Sequence, residues 1–259
     1  MSSQAEKAEQ LRALHHAEQP LVLVNVWDVA GAKILEELGF PAVATASAAI
    51  AASLGYDDNE EIGRGLMLET VARIAEAVDV PVTADLEAGY GPTVEDAVAT
   101  ARGAIEAGAV GLNFEDSAHK DTANLYDADL QAERIRAIRD AGKQAGVPLV
   151  INARTDVYFR TELPDEEKYR ESLRRAKIYA KAGADCIYIL GVTDEEAIAN
   201  LVRNIPAPLN ILALPDAPPI ARLAELGVKR ISYGPRPMRH AMTAFREAAQ
   251  NVRDQGTFP

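Results

Sequence analysis

Glu106-Ala107-Gly108-Ala109-Val110-Gly111-Leu112-Asn113-Phe114-Glu115 holds the end of a helix, a stop and a buried strand. Upstream, Val94, Ala97, Val98, Ala101 and Ile105 share one face at helical spacing. Gly108 follows the last turn, where glycine alone takes the left-handed conformation cheaply, and an apolar run follows at once. The junction recurs at Glu37-Leu38-Gly39-Phe40, Lys181-Ala182-Gly183-Ala184 and Glu225-Leu226-Gly227-Val228. Helix, glycine and strand in repeating order predict parallel strands joined by right-handed crossovers.

Outward from this stretch, eight runs read as strands: 21–26, 42–47, 82–87, 110–115, 149–155, 186–191, 209–213 and 230–234. Helical segments at 30–38, 60–78, 94–107, 130–145, 165–182, 194–202 and 219–226 separate them. Eight such units suit a closed (β/α)8 TIM barrel, with a doubly wound open sheet as the alternative. An extra helix over 4–18 precedes the first strand, and an amphipathic helix over 236–253 closes the chain. No linker-like or low-complexity stretch divides it, so residues 1–259 are expected to form one domain.

The formal charge of −12 argues against nucleic-acid and membrane-surface partners, whose phosphates would be repelled. One cysteine precludes an internal disulfide and suits a reducing cytoplasm. The first twenty residues are polar and charge-mixed, unlike a signal peptide or anchor. An acidic chain that binds a small carboxylate needs local positive charge, and a bound divalent cation supplies it.

In a parallel barrel the chemistry gathers where the strands end. Those ends carry Thr45-Ala46-Ser47-Ala48, Asp85-Leu86-Glu87-Ala88-Gly89-Tyr90-Gly91, Phe114-Glu115-Asp116 and Ala153-Arg154-Thr155-Asp156. Asp85 and Glu87, two apart on a strand, are expected to face one side, with Glu115 beside them from the next strand. Three converging carboxylates repel unless a cation joins them, and oxygen ligands suit Mg²⁺, with Mn²⁺ as the alternative metal. Arg154 reads as a fork for a substrate anion, or else as a salt-bridge partner of Asp156 or Glu115. His119 is a candidate proton donor. His15, His16 and His240 fall on terminal helices and are expected at the surface.

These motifs, with Leu54-Gly55-Tyr56-Asp57-Asp58, resemble the isocitrate lyase/phosphoenolpyruvate mutase superfamily. The resemblance implies that Asp85 binds Mg²⁺ directly and that Glu87 and Glu115 act through water. It implies that Arg154 contacts the substrate anion, that the amides of Thr45, Ala46, Ser47 and Ala48 hold a substrate carboxylate, and that Asp58 lies near the substrate. The chain departs from the cysteine-dependent lyases, whose gating loop carries Lys-Lys-Cys-Gly-His or Lys-Arg-Cys-Gly-His. The corresponding residues 117–125 have no cysteine, and the only one, Cys186, opens an apolar run that reads as core. Lys120, Thr122 and Asn124 are loosely similar to residues that meet the phosphoryl group in the mutase and in phosphonopyruvate hydrolase. The mutase tryptophan of the second strand is replaced by Ala44. Residues 117–127 are expected to act as a mobile lid. The resemblance also implies a last helix exchanged between subunits and a homo-oligomer, a tetramer.

The expectation is therefore a Mg²⁺-dependent lyase or decarboxylase that cleaves a C–C bond of a small 2-oxo or 2-hydroxy carboxylate through an enolate. Phosphoenolpyruvate mutase or phosphonopyruvate hydrolase chemistry is the first alternative, and a non-catalytic 2-oxo-acid-binding barrel the second.

Overall fold

A computed structural model describes residues 2–119 and 125–258. Nine strands form one sheet: β1 Leu21–Leu23, β2 Asn25–Val26, β3 Val43–Thr45, β4 Val82–Asp85, β5 Gly111–Glu115, β6 Val150–Thr155, β7 Cys186–Ile189, β8 Leu209–Leu212 and β9 Arg230–Ser232. Every pairing is parallel. β1 sets Leu21 opposite Arg230 of β9, and β2 sets Asn25 opposite Ala44 of β3. Only Val24 separates β1 from β2, so they are two halves of one interrupted strand with a neighbour on each side. That shared strand closes the sheet into the (β/α)8 barrel.

The helices are α1 Gln4–Leu14, α2 Val29–Glu37, α3 Ser47–Ser53, α4 Arg64–Glu76, α5 Val94–Glu106, α6 Ala128–Gln144, α7 Val157–Arg160, α8 Asp165–Ala182, α9 Glu195–Asn204, α10 Ile220–Glu225 and α11 Arg236–Gln255. α5 shows how sequence sets an element. Thr93 and Asp96 form a reciprocal capping box at its start, and Ala97, Thr100, Ala101 and Ala104 bury one face. Gly108, at φ 85°, then turns the chain into β5.

Several elements differ from expectation. The strand expected over 42–47 stops at Thr45, because Ala46 caps the alanine-rich α3. The helix expected from residue 60 starts at Arg64, because Asn59, Glu60 and Gly63 all hold positive φ. Beyond β6 the chain makes a turn of helix, α7, that the sequence reading lacked.

The long side chains of α1 reach the residues that precede the strands. Gln4 donates to Ala109 O at 3.0 Å, and Arg12 donates to Pro148 O at 2.7 Å and pairs with Asp185. α1 therefore plugs the barrel floor, with Ala8 and Leu11 fully buried. His15 is 1% exposed, which corrects its surface placement, while His16 and His240 are exposed as expected. Its burial has a direct cause: the ring lies under the barrel, with Nδ1 2.8 Å from Leu11 O.

At the other extreme, α11 buries no residue, and Met242, Phe245 and Val252 stand exposed along it. Among the described residues, no helix is long and apolar enough to cross a membrane.

Cys186 is fully buried in β7, as the apolar run implied, and burial pushes its thiol up to about 12. Cys186→Ala should therefore cost only packing, about 1–2 kcal/mol in denaturant unfolding. A loss above about 4 kcal/mol would mean that the sulfur does more than fill space.

Candidate active site

Asp85 ends β4 at the rim where the strands finish. Its carboxylate is gripped from two sides. Oδ2 accepts from the Ser47 amide at 3.0 Å and the Ser47 hydroxyl at 2.9 Å. Oδ1 accepts from Asn113 Nδ2 at 3.3 Å, and the Asp85 amide donates to Thr45 Oγ1 at 2.8 Å. Of the stretch assigned to a substrate carboxylate, Thr45 and Ser47 thus turn to Asp85. The Ala46 amide donates to Val26 O at 3.0 Å, and Ala48 lies in the first turn of α3.

Glu87 reaches the same rim by another route. It lies beyond β4, so strand alternation does not aim it; a left-handed backbone at φ 51° does. Tyr90, Asn59 and Glu60 share that conformation at φ 58°, 73° and 66°. Each such residue costs on the order of 1–3 kcal/mol and persists only where its surroundings hold it. Here two loops clasp each other: the Glu60 amide donates to Glu87 Oε2 at 2.6 Å, and the Tyr90 amide donates to Glu60 Oε1 at 2.5 Å. The Tyr90 hydroxyl closes the clasp on Glu87 Oε1 at 3.1 Å. At Gly89, with φ 92°, a Cβ would come within 2.8 Å of the Phe114 ring, so this turn requires glycine.

Glu115 ends β5 between two bases. Arg154 Nη1 lies 2.6 Å from Oε2, and His119 Nε2 lies 2.9 Å from Oε1, at ion-pair distance but misaligned for a hydrogen bond. His119 also lies 3.9 Å from Glu87 Oε2, with its side chain only 4% exposed, so it is no solvated loop residue. Its Nδ1 faces Asn59 Oδ1 at 3.2 Å and Arg160 Nη2 at 3.4 Å.

Burial and crowding raise the proton affinity of this rim. Burial, then the charges of Glu115, Asp58 and Asp85, pushes Glu87 up to about 8. Burial pushes Glu115 up to about 7 against the opposing pull of Arg154. Asp58 is raised by burial and then by Asp85. The contacts of His119 with Glu115 and Glu87 raise it despite burial.

Arg154 meets both anticipated protein partners. Besides Glu115, it grips Asp156 through Nε at 2.6 Å and Nη2 at 2.8 Å. Asp156 in turn accepts from Ser117 Oγ at 2.6 Å, and its amide donates to Asp116 Oδ1 at 3.0 Å. Asp116 is fully buried and takes Tyr179 Oη at 2.7 Å and Arg175 Nη1 at 3.1 Å. Asp156 was anticipated as a partner of Arg154, whereas Asp116, Arg175 and Tyr179 behind it were not; a Glu-Asp pair and an Arg-Thr-Asp run at adjacent strand ends were the available signal. A pocket of about 910 Å³ opens beside them, lined by Asp58, Asn59, Arg154 and Asp156 and by Phe159 to Leu163 of the α7 segment.

Lys120, Thr122 and Asn124 lie outside the described residues. The flanks of that segment are joined, with Ser117 bridging Leu125 and the Tyr126 amide donating to Asp116 O at 2.8 Å.

Glu87 and Glu115 both approach His119, and the charges of Glu115 and Asp85 act on Glu87. Among the described residues, no group of three or more His, Cys, Asp or Glu side chains is arranged to hold a metal ion. The oxygen-only set fits a hard cation that keeps several waters and takes one or two carboxylates directly, which is the habit of Mg²⁺. Asp85, Glu87 and Glu115 are the residues that would hold such an ion.

Residues 11–253 match the family model described as phosphoenolpyruvate phosphomutase. A "putative phosphonomutase" from Burkholderia cenocepacia is 44% identical, with a TM-score of 0.90 over 95% of this chain and 99% of that one. The phosphoenolpyruvate phosphomutase of Streptomyces hygroscopicus is 31% identical over 261 residues, covering 96% of this chain and 81% of its own. The 2-methylisocitrate lyase of Bacillus subtilis is 30% identical over 214 residues, covering 80% of this chain and 67% of its own. With the barrel, its acidic rim and this match over nearly all its length, the chain belongs to the phosphoenolpyruvate mutase family, within the isocitrate lyase/phosphoenolpyruvate mutase superfamily of lyases and mutases.

Proposed function

We propose that this chain is a Mg²⁺-dependent lyase that cleaves a C–C bond of a small 2-oxo or 2-hydroxy dicarboxylate through an enolate. The observation that carries the reading is the charge balance of the rim. Asp58, Asp85, Glu87, Glu115 and Asp156 converge there, and Arg154 is already shared between Glu115 and Asp156. Among the described residues, Arg154 and Arg160 are the positive charges of the pocket wall, and against this many carboxylates that balance favours a dicarboxylate over the more highly charged phosphonopyruvate. A bound Mg²⁺ would act as a Lewis acid, stabilising the negative charge that develops on the substrate oxygen.

The chain's own groups supply the rest. Ser47 and Asn113 hold Asp85 in one orientation. Arg154, rigid between two carboxylates, offers its face as a fixed positive charge to the substrate anion. Asp58, raised by burial at the pocket wall, is placed to hold or pass a proton. His119, between Glu115 and Glu87, is the second candidate for that role. Lys120, Thr122 and Asn124 are proposed to meet the substrate's distal group.

P–C chemistry is the second reading, favoured by the family model and by the S. hygroscopicus phosphomutase. One comparison separates the two: pyruvate release from oxaloacetate against conversion of phosphonopyruvate, either to phosphoenolpyruvate or to pyruvate and phosphate, each with Mg²⁺. Faster turnover of oxaloacetate, abolished by chelator and lowered roughly 100-fold or more by Asp85→Ala, is expected. Preferential conversion of phosphonopyruvate would install the second reading, and full activity in excess chelator would remove the metal from both.

Stability against pH is the next expectation. A carboxyl whose pKa is higher in the folded chain binds more protons there, so stability falls as pH rises between its two values. That window runs from 4.5 to about 8 for Glu87 and from 4.5 to about 7 for Glu115. Without metal, the melting temperature should fall between about pH 5 and about pH 8, and Glu87→Gln should flatten the fall. A metal-free protein equally stable across that range would contradict the raised affinities.

The bare apolar face of α11 supports a homo-oligomer, with tetramer as the proposed state and exchange of α11 between subunits as its means. Light scattering at micromolar concentration should give a multiple of the monomer mass, and Phe245→Glu should lower it. A monomer would end this assignment.

A further inference from the structure

The interior of a parallel barrel is ordinarily filled by branched apolar side chains. Here part of it is polar: Asn113 of β5, Asn152 of β6, Asn210 and Arg230 are all buried, and Arg230 is only 1% exposed. Among the described residues, no carboxylate pairs with the Arg230 guanidinium, and its Nε has no hydrogen-bond partner. A buried, unpaired charge is costly unless the dipoles around it are oriented to offset it.

Arg230 Nη2 donates to Asn113 Oδ1 at 3.0 Å, and Asn152 Nδ2 donates to the same oxygen at 2.8 Å. Arginine can only donate. The two donors therefore decide which way the Asn113 amide points. Its oxygen must face Arg230, and its NH₂ group must face Asp85 Oδ1, 3.3 Å away. If the amide turned over, it would set NH₂ against guanidinium below and oxygen against carboxylate above. Asn113 thus passes the charge of Arg230 to Asp85 as an oriented dipole.

The guanidinium is itself placed from the barrel floor. His15 Nδ1 faces the Leu11 carbonyl at 2.8 Å, so that nitrogen carries the proton and Nε2 keeps its lone pair. Nε2 lies 3.4 Å from Arg230 Nη1. Burial and the Arg230 charge push His15 down to about 3, which keeps the ring neutral and able to accept.

We propose that Arg230 and Asn113 are positioning residues for the metal site, a column that starts at His15 on α1 and ends by holding Asp85 Oδ1 toward the ion. It rests on the reading of Asp85 as the metal ligand. Both residues are buried and neither lines the pocket beside Arg154. Their effect is on how well Asp85 is presented, so it registers in metal binding before any substrate is added.

The test is a Mn²⁺ titration of the intact, substrate-free protein, read by the paramagnetic resonance of the free ion. Asn113→Leu, close in size but without the donor, should weaken Mn²⁺ binding about tenfold or more. Arg230→Lys, which keeps a buried charge but loses the planar fork, should weaken it in the same direction. The double variant should be no worse than the weaker-binding single one, because the two act in series. Should Asn113→Leu fail to fold, Arg230→Lys alone decides. Wild-type affinity in the folded variants, or effects that simply add, would overturn the column while leaving the metal site intact. A wild-type protein that binds no Mn²⁺ would instead overturn the metal reading, and the column with it.

Discussion

Crowded negative charge at one end of the barrel is the constraint on which the rest of the structure depends. Burial raises the cost of each carboxylate, and its neighbours raise it further, so Glu87 and Glu115 hold protons at pH values where an ordinary glutamate has lost them. Arg154 and His119 offset part of that charge. Nothing about folding alone requires such a cluster, since apolar residues of similar size would be easier to bury. Under the proposed function, a bound cation would offset what remains of that charge.

The surrounding architecture serves to hold these groups still. Among the described residues, four non-glycine residues adopt left-handed backbone, and all four lie in the two loops that clasp each other through Glu60, Glu87 and Tyr90. Behind Arg154, a chain from Asp156 through Asp116 to Tyr179 and Arg175 ties the strand ends to α8. Below Asp85, the column through Asn113 and Arg230 reaches the floor helix. Strain above and buried polar networks behind and below are the usual means by which a fold fixes groups that would otherwise move apart.

Much of this was legible in the sequence, for identifiable reasons. Helix–glycine–strand junctions announce a parallel barrel because positive φ after a helix is a glycine property, as Gly39, Gly108, Gly183 and Gly227 show. Strand alternation was expected to aim Glu87 beside Asp85, and that premise fails. β4 ends at Asp85, and the backbone turn at Glu87, rather than strand alternation, aims the second carboxylate. His15 was misplaced because the reading treated terminal helices as surface elements, whereas α1 closes the barrel floor. Asn113 and Arg230 were missed, although a polar residue amid an apolar strand was a visible mark. Their partnership joins residues 117 positions apart, which no local pattern reveals.

The central claim is that the acidic rim is completed by a divalent cation, and proton release on binding tests it most directly. If Glu87 and Glu115 carry protons near neutrality, Mg²⁺ must displace them to occupy the site. Calorimetric titration of Mg²⁺ at about pH 7.5, repeated in buffers of different ionisation enthalpy, counts those protons. Net release of a substantial fraction of a proton, lost in Asp85→Ala together with binding itself, is the expected result. Mg²⁺ binding with no proton released, or no binding at all, would contradict the claim.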